Sequence, residues 1–237
     1  MSSIYLSIIV PAYNEAQRIG PSLDQIIAFL RAQTYSSEIL VADDGSTDAT
    51  VQIALERLKG FPHQILRTSV NQGKGSAVKR GMLAASGKYC LFTDADLSTP
   101  IEETKKFLKQ LEDGYDVVIG SRGLSGSNVV VHQNFLRESM GRIFNGFARI
   151  LAFQGIEDSQ CGFKAFSQKA AKDLFSRQKL LGFSFDVEIV YLAQRLGYRL
   201  LELPVTWRNS AQSRVRLFRD PLYMFCDLLK IRWIHRS

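Results

Sequence analysis

A regular alternation of short apolar runs and longer amphipathic stretches, from Tyr5 to residue 121, constrains the fold more than any other feature. The first run, Tyr5 to Val10, is nearly continuous and rich in β-branched residues, which is typical of a strand buried on both faces of a mainly parallel sheet. Further strands are predicted at 38–43, 64–68, 88–93 and 116–122. The helices between them are predicted at 21–32, from Ser46 or Thr47 to about 60, from the Asn71 turn to about 86, and at 101–113. This alternation predicts an α/β fold with helices on both faces of the sheet.

The second half of the chain carries weaker patterns. We predict a loop at 123–134, a helix at 135–153, an irregular turn and strand from Asp158 to Phe166, a helix at 185–197 closed by Gly197, and a last strand at 198–206. We predict one domain over 1–216, with two halves over about 1–122 and about 123–216, and a basic amphipathic tail over 217–237.

Polar residues collect where the predicted strands end. These sets are Tyr13/Asn14/Glu15, Asp43/Asp44, Asp94/Asp96 and Ser121/Arg122. Ligands of parallel α/β sheets bind outside the carboxyl ends of the strands, so we expect the four sets to line one site. Asp94 and Asp96, one residue apart at a strand end, suit Mg²⁺ or Mn²⁺, which takes few protein carboxylates and keeps positions for water and phosphate. The alternative is that one aspartate caps the helix at 101–113 and the other is a solvated loop residue.

Composition places the chain among ordinary globular proteins, with 46% hydrophobic residues and a net charge of +7. No apolar run approaches the ~18 residues of a spanning helix, and Met1 to Ser3 leave no room for a signal peptide, so we expect a cytosolic protein. Cys90, Cys161 and Cys226 lie in apolar surroundings without metal-ligand spacing and are expected to be buried, reduced thiols.

Most of the excess positive charge lies after Trp207. The tail has two interpretations: a peripheral membrane anchor whose arginines face anionic headgroups while apolar side chains insert, or an element packed on the domain or on a second subunit. We favour the membrane surface, with Leu222, Phe225, Trp233 and Ile234 as the inserting residues, and attachment through a membrane-embedded partner stays open as the alternative. A nucleic-acid partner is not expected, because no nucleic-acid module is recognisable and the strand-end carboxylates would repel phosphates unless a metal were present.

The order of the motifs carries a family resemblance. They are Val10-Pro-Ala-Tyr-Asn-Glu, Val41-Ala-Asp-Asp-Gly-Ser-Thr-Asp, Asn71-Gln-Gly-Lys-Gly, Asp94-Ala-Asp-Leu-Ser, Gly120-Ser-Arg, Asp158-Ser-Gln-Cys-Gly-Phe-Lys and Phe185-Asp-Val-Glu. In this order they resemble the family 2 inverting glycosyltransferases, most closely their dolichyl-phosphate glucosyltransferase and mannosyltransferase branch. The resemblance covers residues 4 to about 216 and implies a single Rossmann-like nucleotide-sugar-binding domain of the glycosyltransferase A type. It also implies that the half over about 1–122 binds the nucleotide and that the half over about 123–216 binds the acceptor.

The resemblance also implies roles for individual residues. Pro11, Tyr13 and Glu15, with Asp43 or Asp44, match the nucleoside pocket, and Lys74 would lie near the nucleotide. Asp94 and Asp96 match the metal and diphosphate site, although Ser98 stands where the mannosyl branch has a glutamine that helps to hold the metal. Arg122 and Arg137 resemble phosphate-binding arginines, and Arg214 and Arg216 stand near the position of a lysine that contacts diphosphate or acceptor in relatives.

The expected reaction is metal-dependent, inverting transfer of a hexose, most simply glucose from UDP-glucose, to a polyprenyl phosphate such as dolichyl or undecaprenyl phosphate. A sugar hydroxyl or a diacylglycerol lipid as acceptor, and GDP-mannose as donor, stay open as alternatives. A hydroxyl acceptor requires a general base, for which Asp186 and Asp158 are candidates, whereas a lipid phosphate is already ionised. Asp186 also suits the N-terminal cap of a helix.

Overall fold

The computed structural model describes residues 4–131, 146, 153–208 and 219–236. The strands are β1 (Leu6–Ala12), β2 (Ser37–Asp43), β3 (His63–Arg67), β4 (Tyr89–Thr93), β5 (Val117–Ser121), β6 (Asn128–Val131), β7 (Phe163–Ser167), β8 (Leu200–Pro204) and β9 (Thr206–Arg208). The helices are α1 (Ile19–Arg31), α2 (Thr50–Leu58), α3 (Lys74–Ala84), α4 (Thr104–Glu112, after a 3-10 turn over Ile101–Glu103), α5 (Gln168–Arg177), α6 (Phe185–Arg195) and α7 (Arg219–Ile234).

Seven strands form one sheet in the order β3-β2-β1-β4-β7-β5-β8. The pairs β1–β2, β1–β4, β2–β3 and β5–β8 are parallel, whereas β7 runs antiparallel to both β4 and β5. The strands β6 and β9 pair separately in a small parallel ribbon. Because β7 is reversed, its first residues lie at the same sheet edge as the carboxyl ends of β4 and β5.

The sheet buries apolar side chains on both faces. Successive strand residues point to opposite sides, so Ile8 joins one core cluster and Ile9 the other. The first cluster includes residues of α1, α2 and α4, and the second includes residues of α3, α5, α6 and α7. The predicted α/β sheet with helices on both faces is therefore confirmed.

Two local predictions are wrong. The helix α2 begins at Thr50, and the Thr50 N–H donates to Asp48 Oδ1 at 3.0 Å rather than to Ser46 or Thr47. These two residues contact the loop after β1 instead: Asn14 N donates to Ser46 Oγ (2.8 Å) and Thr47 N donates to Asn14 Oδ1 (2.8 Å). The region 123–134, predicted to be a loop, contains the strand β6, whose partner β9 is supplied by the chain far downstream.

Other differences concern elements that the sequence analysis left out or that cannot be compared. The helix α5 was not predicted; Ser167 caps it by accepting a hydrogen bond from Ala170 N. The last predicted strand is divided into β8 and β9. The helix predicted at 135–153 lies outside the described residues except at its last position and residue 146, and the division into a domain and a tail stays a prediction.

The three cysteines are free thiols. Cys90 and Cys161 are buried as predicted, and burial raises the pKa of these thiols to about 12 and about 11. The prediction for Cys226 is wrong, because this residue is exposed on α7. Among the helices of the described ranges, none is both long and apolar enough to cross a bilayer.

Candidate active site

The carboxyl ends of β1, β2 and β4 lie side by side and bring the predicted polar sets together. Ala12, the last residue of β1, is in register with Asp43, the last residue of β2. On the other side of β1, Ile9 is in register with Phe92, two residues before Asp94. The strand β5 reaches the same edge and presents Arg122 there, beyond β7. The predicted common site at this edge is thus consistent with the sheet topology.

The loop after β1 is held by β2 and α2. It follows Pro11 and passes through Tyr13 to Asn14, which adopts a positive φ of 53°. Glu15 N donates to Thr50 Oγ1 at 2.7 Å, which fixes the loop on α2. The Glu15 carboxylate is buried at the edge of the site.

Arg18 connects this loop to the metal-site motif, Asp94 to Asp96. The sequence analysis did not identify Arg18. Its guanidinium donates to both Glu15 carboxylate oxygens, with Nε 2.6 Å from Oε2 and Nη2 2.7 Å from Oε1. Its Nη1 lies 3.4 Å from Asp96 Oδ2. The spacing of three residues between Glu15 and Arg18 was the available signal, but such a pair is also common on helix surfaces.

Asp43 and Asp44 are both buried, and each holds a neighbouring loop. The Asp43 carboxylate accepts from Ser46 N at 3.2 and 3.3 Å. Asp44 Oδ2 accepts from Gln72 N (2.9 Å) and Gly73 N (2.7 Å) and so anchors the turn before α3. Asp44 Oδ1 also pairs with Arg80 Nη2 at 3.4 Å. The predicted roles of Asp43 and Asp44 in a nucleoside pocket stay predictions.

Lys74 is the first residue of α3 and reaches the metal-site motif. Gly73, just before it, has φ of 108°, a left-handed conformation that favours glycine. Lys74 Nζ lies 2.6 Å from Asp94 Oδ1. Burial lowers the pKa of Lys74, but the carboxylates of Asp94, Asp186 and Asp96 outweigh that effect and raise it above its usual range. A permanently charged ammonium therefore sits at the strand end.

The segment from Asp94 to Ser98 forms a tight turn at the end of β4. Leu97 has φ of 46°, and its N–H donates to Asp94 O at 3.0 Å. Ser98 donates to Asp96 Oδ1 through both its N–H (3.0 Å) and its hydroxyl (2.8 Å). Ser98 thus orients the Asp96 carboxylate. Holding a non-glycine residue such as Leu97 at positive φ costs of order 1–3 kcal/mol, a strain that concentrates at functional sites.

A divalent ion fits these residues only together with a substrate. In the described ranges, no three His, Cys, Asp or Glu side chains are grouped so that they could hold a metal. Asp94 and Asp96 supply two carboxylates at one strand end, and Mg²⁺ commonly binds through one or two carboxylates plus the phosphates of a substrate. The donor set is therefore appropriate for Mg²⁺ or Mn²⁺ bound jointly with a diphosphate.

Lys164 and Asp186 form a buried ion pair that faces the same edge. Lys164 is fully buried in β7; its Nζ contacts the Asp186 carboxylate and donates to Cys161 O at 2.7 Å. Burial raises the pKa of Asp186, while the charges of Lys164 and Lys74 oppose that shift. Asp186 lies in the first turn of α6, where a carboxylate also interacts favourably with the helix dipole. Lys164 is the last residue of a motif quoted above, but no role was inferred for it.

Arg122, which is half-buried, and Asp158, which is buried, form a second ion pair. Arg122 Nε lies 2.6 Å from Asp158 Oδ2 and Nη2 lies 2.9 Å from Oδ1, a bidentate arrangement. The guanidinium also lies over the Trp207 ring, 5.5 Å from its centre. Burial raises the pKa of Asp158, but the Arg122 charge and hydrogen bonds outweigh it and hold that pKa at about 2.

This ion pair argues against Asp158 as a general base, a role that stays a prediction. A carboxylate whose two oxygens accept from an arginine, with a pKa near 2, is a very weak proton acceptor at neutral pH. Asp158 instead holds Arg122 at the sheet edge. Arg137, Arg214 and Arg216, predicted to bind phosphate or acceptor, lie outside the described residues.

Comparison with known proteins identifies relatives of this chain. The model of the family described as glycosyl transferase family 2 matches residues 7–175. A dolichyl-phosphate beta-glucosyltransferase of Dictyostelium discoideum is 37% identical over 98% of this chain and 75% of its own length. The dolichyl-phosphate beta-glucosyltransferase of Saccharomyces cerevisiae is 34% identical over 97% of this chain and 74% of its own length.

A solved structure shares the fold. The glucosyl-3-phosphoglycerate synthase of Mycobacterium tuberculosis, crystallised with Mn²⁺, uridine diphosphate and phosphoglyceric acid, superposes with a TM-score of 0.67. The alignment covers 96% of this chain and 77% of the synthase at 20% identity. This likeness confirms the predicted glycosyltransferase A type of fold.

Proposed function

The chain belongs to glycosyl transferase family 2 and is a glycosyltransferase, and from that premise we propose that it transfers glucose from UDP-glucose to a polyprenyl phosphate such as dolichyl or undecaprenyl phosphate. The anomeric configuration would be inverted and UDP released. One observation carries the proposal: relatives named as dolichyl-phosphate beta-glucosyltransferases align with nearly the whole chain, at 37% identity over 98% of it in one case.

The donor side of the site is suited to a nucleoside diphosphate. Glycosyl transfer places negative charge on the leaving diphosphate, so preorganised cations are the main requirement. Lys74 Nζ is held on Asp94 at 2.6 Å, and Arg18 lies 3.4 Å from Asp96, which supports a role for both cations beside the leaving group. Asp94 and Asp96 would hold Mg²⁺ or Mn²⁺, which neutralises diphosphate charge when bound. Pro11, Tyr13, Glu15 and Asp43 are proposed to line the nucleoside pocket.

The acceptor side is better suited to an ionised phosphate than to a hydroxyl. A lipid phosphate attacks without losing a proton, so no general base is required. Asp158 is already bound by Arg122, and Asp186 is paired with Lys164 in the core. Arg122 keeps 30% of its side chain exposed at the edge of the site, whereas Lys164 is fully buried. We propose that Arg122, with Arg137, Arg214 and Arg216, contacts the acceptor or diphosphate, and that Asp186 positions Lys164.

We propose that the C-terminal helix attaches the protein to the cytoplasmic surface of a membrane, and the exposure of its side chains supports contact with a membrane surface. In α7, Leu228 and Ile231 are buried against the domain, whereas Leu229 and Trp233 are 57% and 69% exposed. Lys230 and Arg232 are exposed beside them. Basic residues near an anionic surface contribute about 1 kcal/mol each. Of the other residues expected to insert, Ile234 is half-buried, and the side chains of Leu222 and Phe225 lie outside the described part.

The proposal is tested by nucleoside diphosphate release from the purified protein with Mg²⁺ or Mn²⁺. The donors are UDP-glucose, UDP-N-acetylglucosamine and GDP-mannose, each with and without polyprenyl phosphate in detergent. We expect lipid-dependent release of UDP from UDP-glucose, which Asp96→Asn abolishes. Turnover that requires a sugar hydroxyl or a diacylglycerol, with none on the lipid phosphate, would contradict the acceptor assignment.

A further inference from the structure

The turn that carries Lys74 is pressed against a second segment, residues 178–182. Ser76 N donates to Leu181 O at 3.1 Å, and Gln178 Nε2 donates to Gly75 O at 3.0 Å. A Cβ on Gly73 would lie 2.5 Å from Leu181 O, and a Cβ on Gly75 would lie 2.7 Å from Phe185 Cβ. The position of Lys74 therefore depends on where residues 178–182 are held.

One fully buried carboxylate holds that segment. Glu188 Oε1 accepts from Lys179 N and Oε2 accepts from Leu180 N, both at 2.8 Å. His235 Nε2, after the end of α7, lies 2.6 Å from Glu188 Oε1. Burying a carboxylate costs folding free energy unless hydrogen bonds satisfy its oxygens. Here three donors, from residues 179–180 and from His235, converge on the Glu188 carboxylate.

We propose that Glu188 is a positioning residue of the donor site. It fixes residues 178–182, and that segment in turn sets the Gly73–Gly75 turn and so places the Lys74 ammonium on Asp94. His235 completes the hydrogen bonds of the carboxylate from the C-terminal helix. The inference rests on the proposed function, because that function assigns Lys74 to the diphosphate.

The first test is Glu188→Gln, alone and combined with Lys74→Met. The amide offers one acceptor oxygen, and its NH₂ group faces a backbone donor, so one of the two backbone bonds is lost. We expect kcat/KM for UDP-glucose to fall at least about tenfold in the single variant. In the Lys74→Met background the same change is expected to cost less than about twofold, because the residue through which Glu188 acts is already absent.

Glu38→Gln is the matched control. Glu38 is also a buried carboxylate that fixes a loop, since its Oε1 accepts from Ser86 N at 2.8 Å and from Ser7 Oγ at 2.6 Å. Its loop lies at the amino end of the sheet, away from Lys74. We expect Glu38→Gln to change kcat/KM by the same factor in the wild-type and the Lys74→Met backgrounds. Equal fold-losses for Glu188→Gln in both backgrounds would overturn the proposal.

Two further measurements test the role of Glu188 if the variant misfolds or if the proposed function is wrong. If Glu188→Gln does not fold, Gln178→Met removes the bond to Gly75 O, and the same dependence on Lys74 is expected. If the wild type releases no UDP from UDP-glucose, the proposed function fails, and amide hydrogen exchange at Ser76 decides the inference. Faster exchange at Ser76 in Glu188→Gln than in Glu38→Gln supports it, and unchanged exchange overturns it.

Discussion

Gly162 gives the sharpest steric test of the site. A Cβ built on this residue lies 2.0 Å from Asp94 Oδ2, so the carboxylate must move by about 1.4 Å to restore an ordinary contact of 3.4 Å. That movement takes Asp94 off Lys74 Nζ, now at 2.6 Å. A misplacement of about 1 Å in a preorganised site can cost about 100-fold in rate, which corresponds to about 2.7 kcal/mol.

We therefore expect Gly162→Ala to lower kcat/KM for UDP release about 100-fold. Stability should change little, because the Asp94 side chain is 34% exposed and is free to turn away. The control is Gly123→Ala, where the added Cβ meets Glu157 Cβ at 3.5 Å, an ordinary contact. The measurements are initial rates over UDP-glucose concentration, and thermal unfolding of each variant. A Gly162→Ala enzyme within about threefold of wild type would refute the reasoning.

Three further predictions follow from the ion pairs and the C-terminal helix. The Arg122 charge lowers the pKa of Asp158 from its ordinary 3.8 to about 2 in the folded protein. Its contribution to stability, about 2 kcal/mol, is therefore present above about pH 4 and lost as the pH falls toward 2. The urea midpoints of wild type and Asp158→Asn should converge at low pH. Asp186→Asn should lower activity by the same factor at every pH from about 6 to 9, because a phosphate acceptor requires no base. A pH–rate profile that loses one limb in the variant but not in the wild type would contradict this. Trp233→Glu should weaken binding to anionic vesicles at least about tenfold in a sedimentation assay. The control is Leu55→Glu, which changes an exposed leucine of α2. Equal binding of the two variants would refute attachment of the C-terminal helix to a membrane surface.

The sheet was predictable because its strands carry their signal locally. The buried runs of β1, β2 and β4 are continuous in sequence, and each is followed directly by its polar residues. The reversed strand β7 and the β6–β9 ribbon depend on pairing between distant parts of the chain, which a periodicity analysis does not detect. For the same reason, residue 123 onward was predicted less well than the first half.

The site residues show the same division. Asp94 and Asp96 were identifiable from their spacing at a strand end, and Lys74 from the family resemblance of its motif. Asp158 was proposed as a base because sequence shows a carboxylate but does not show Arg122 against it. Arg18 was missed because a charge three residues after an acid usually indicates an exposed helix pair, whereas here it also reaches Asp96 across the site. Lys164 lies between two apolar residues of β7, and only the fold shows that it faces Asp186.

Transfer of labelled glucose from UDP-glucose to polyprenyl phosphate tests the central claim most directly. A glucosyl group on a lipid phosphate is released by mild acid, whereas a glycoside on a hydroxyl lipid is not, so the lability of the organic-soluble product reports which bond was formed. We expect an acid-labile labelled lipid whose formation requires Mg²⁺ or Mn²⁺ and is abolished by Asp96→Asn. An acid-stable labelled lipid, or label found only in a water-soluble glycoside, would contradict it.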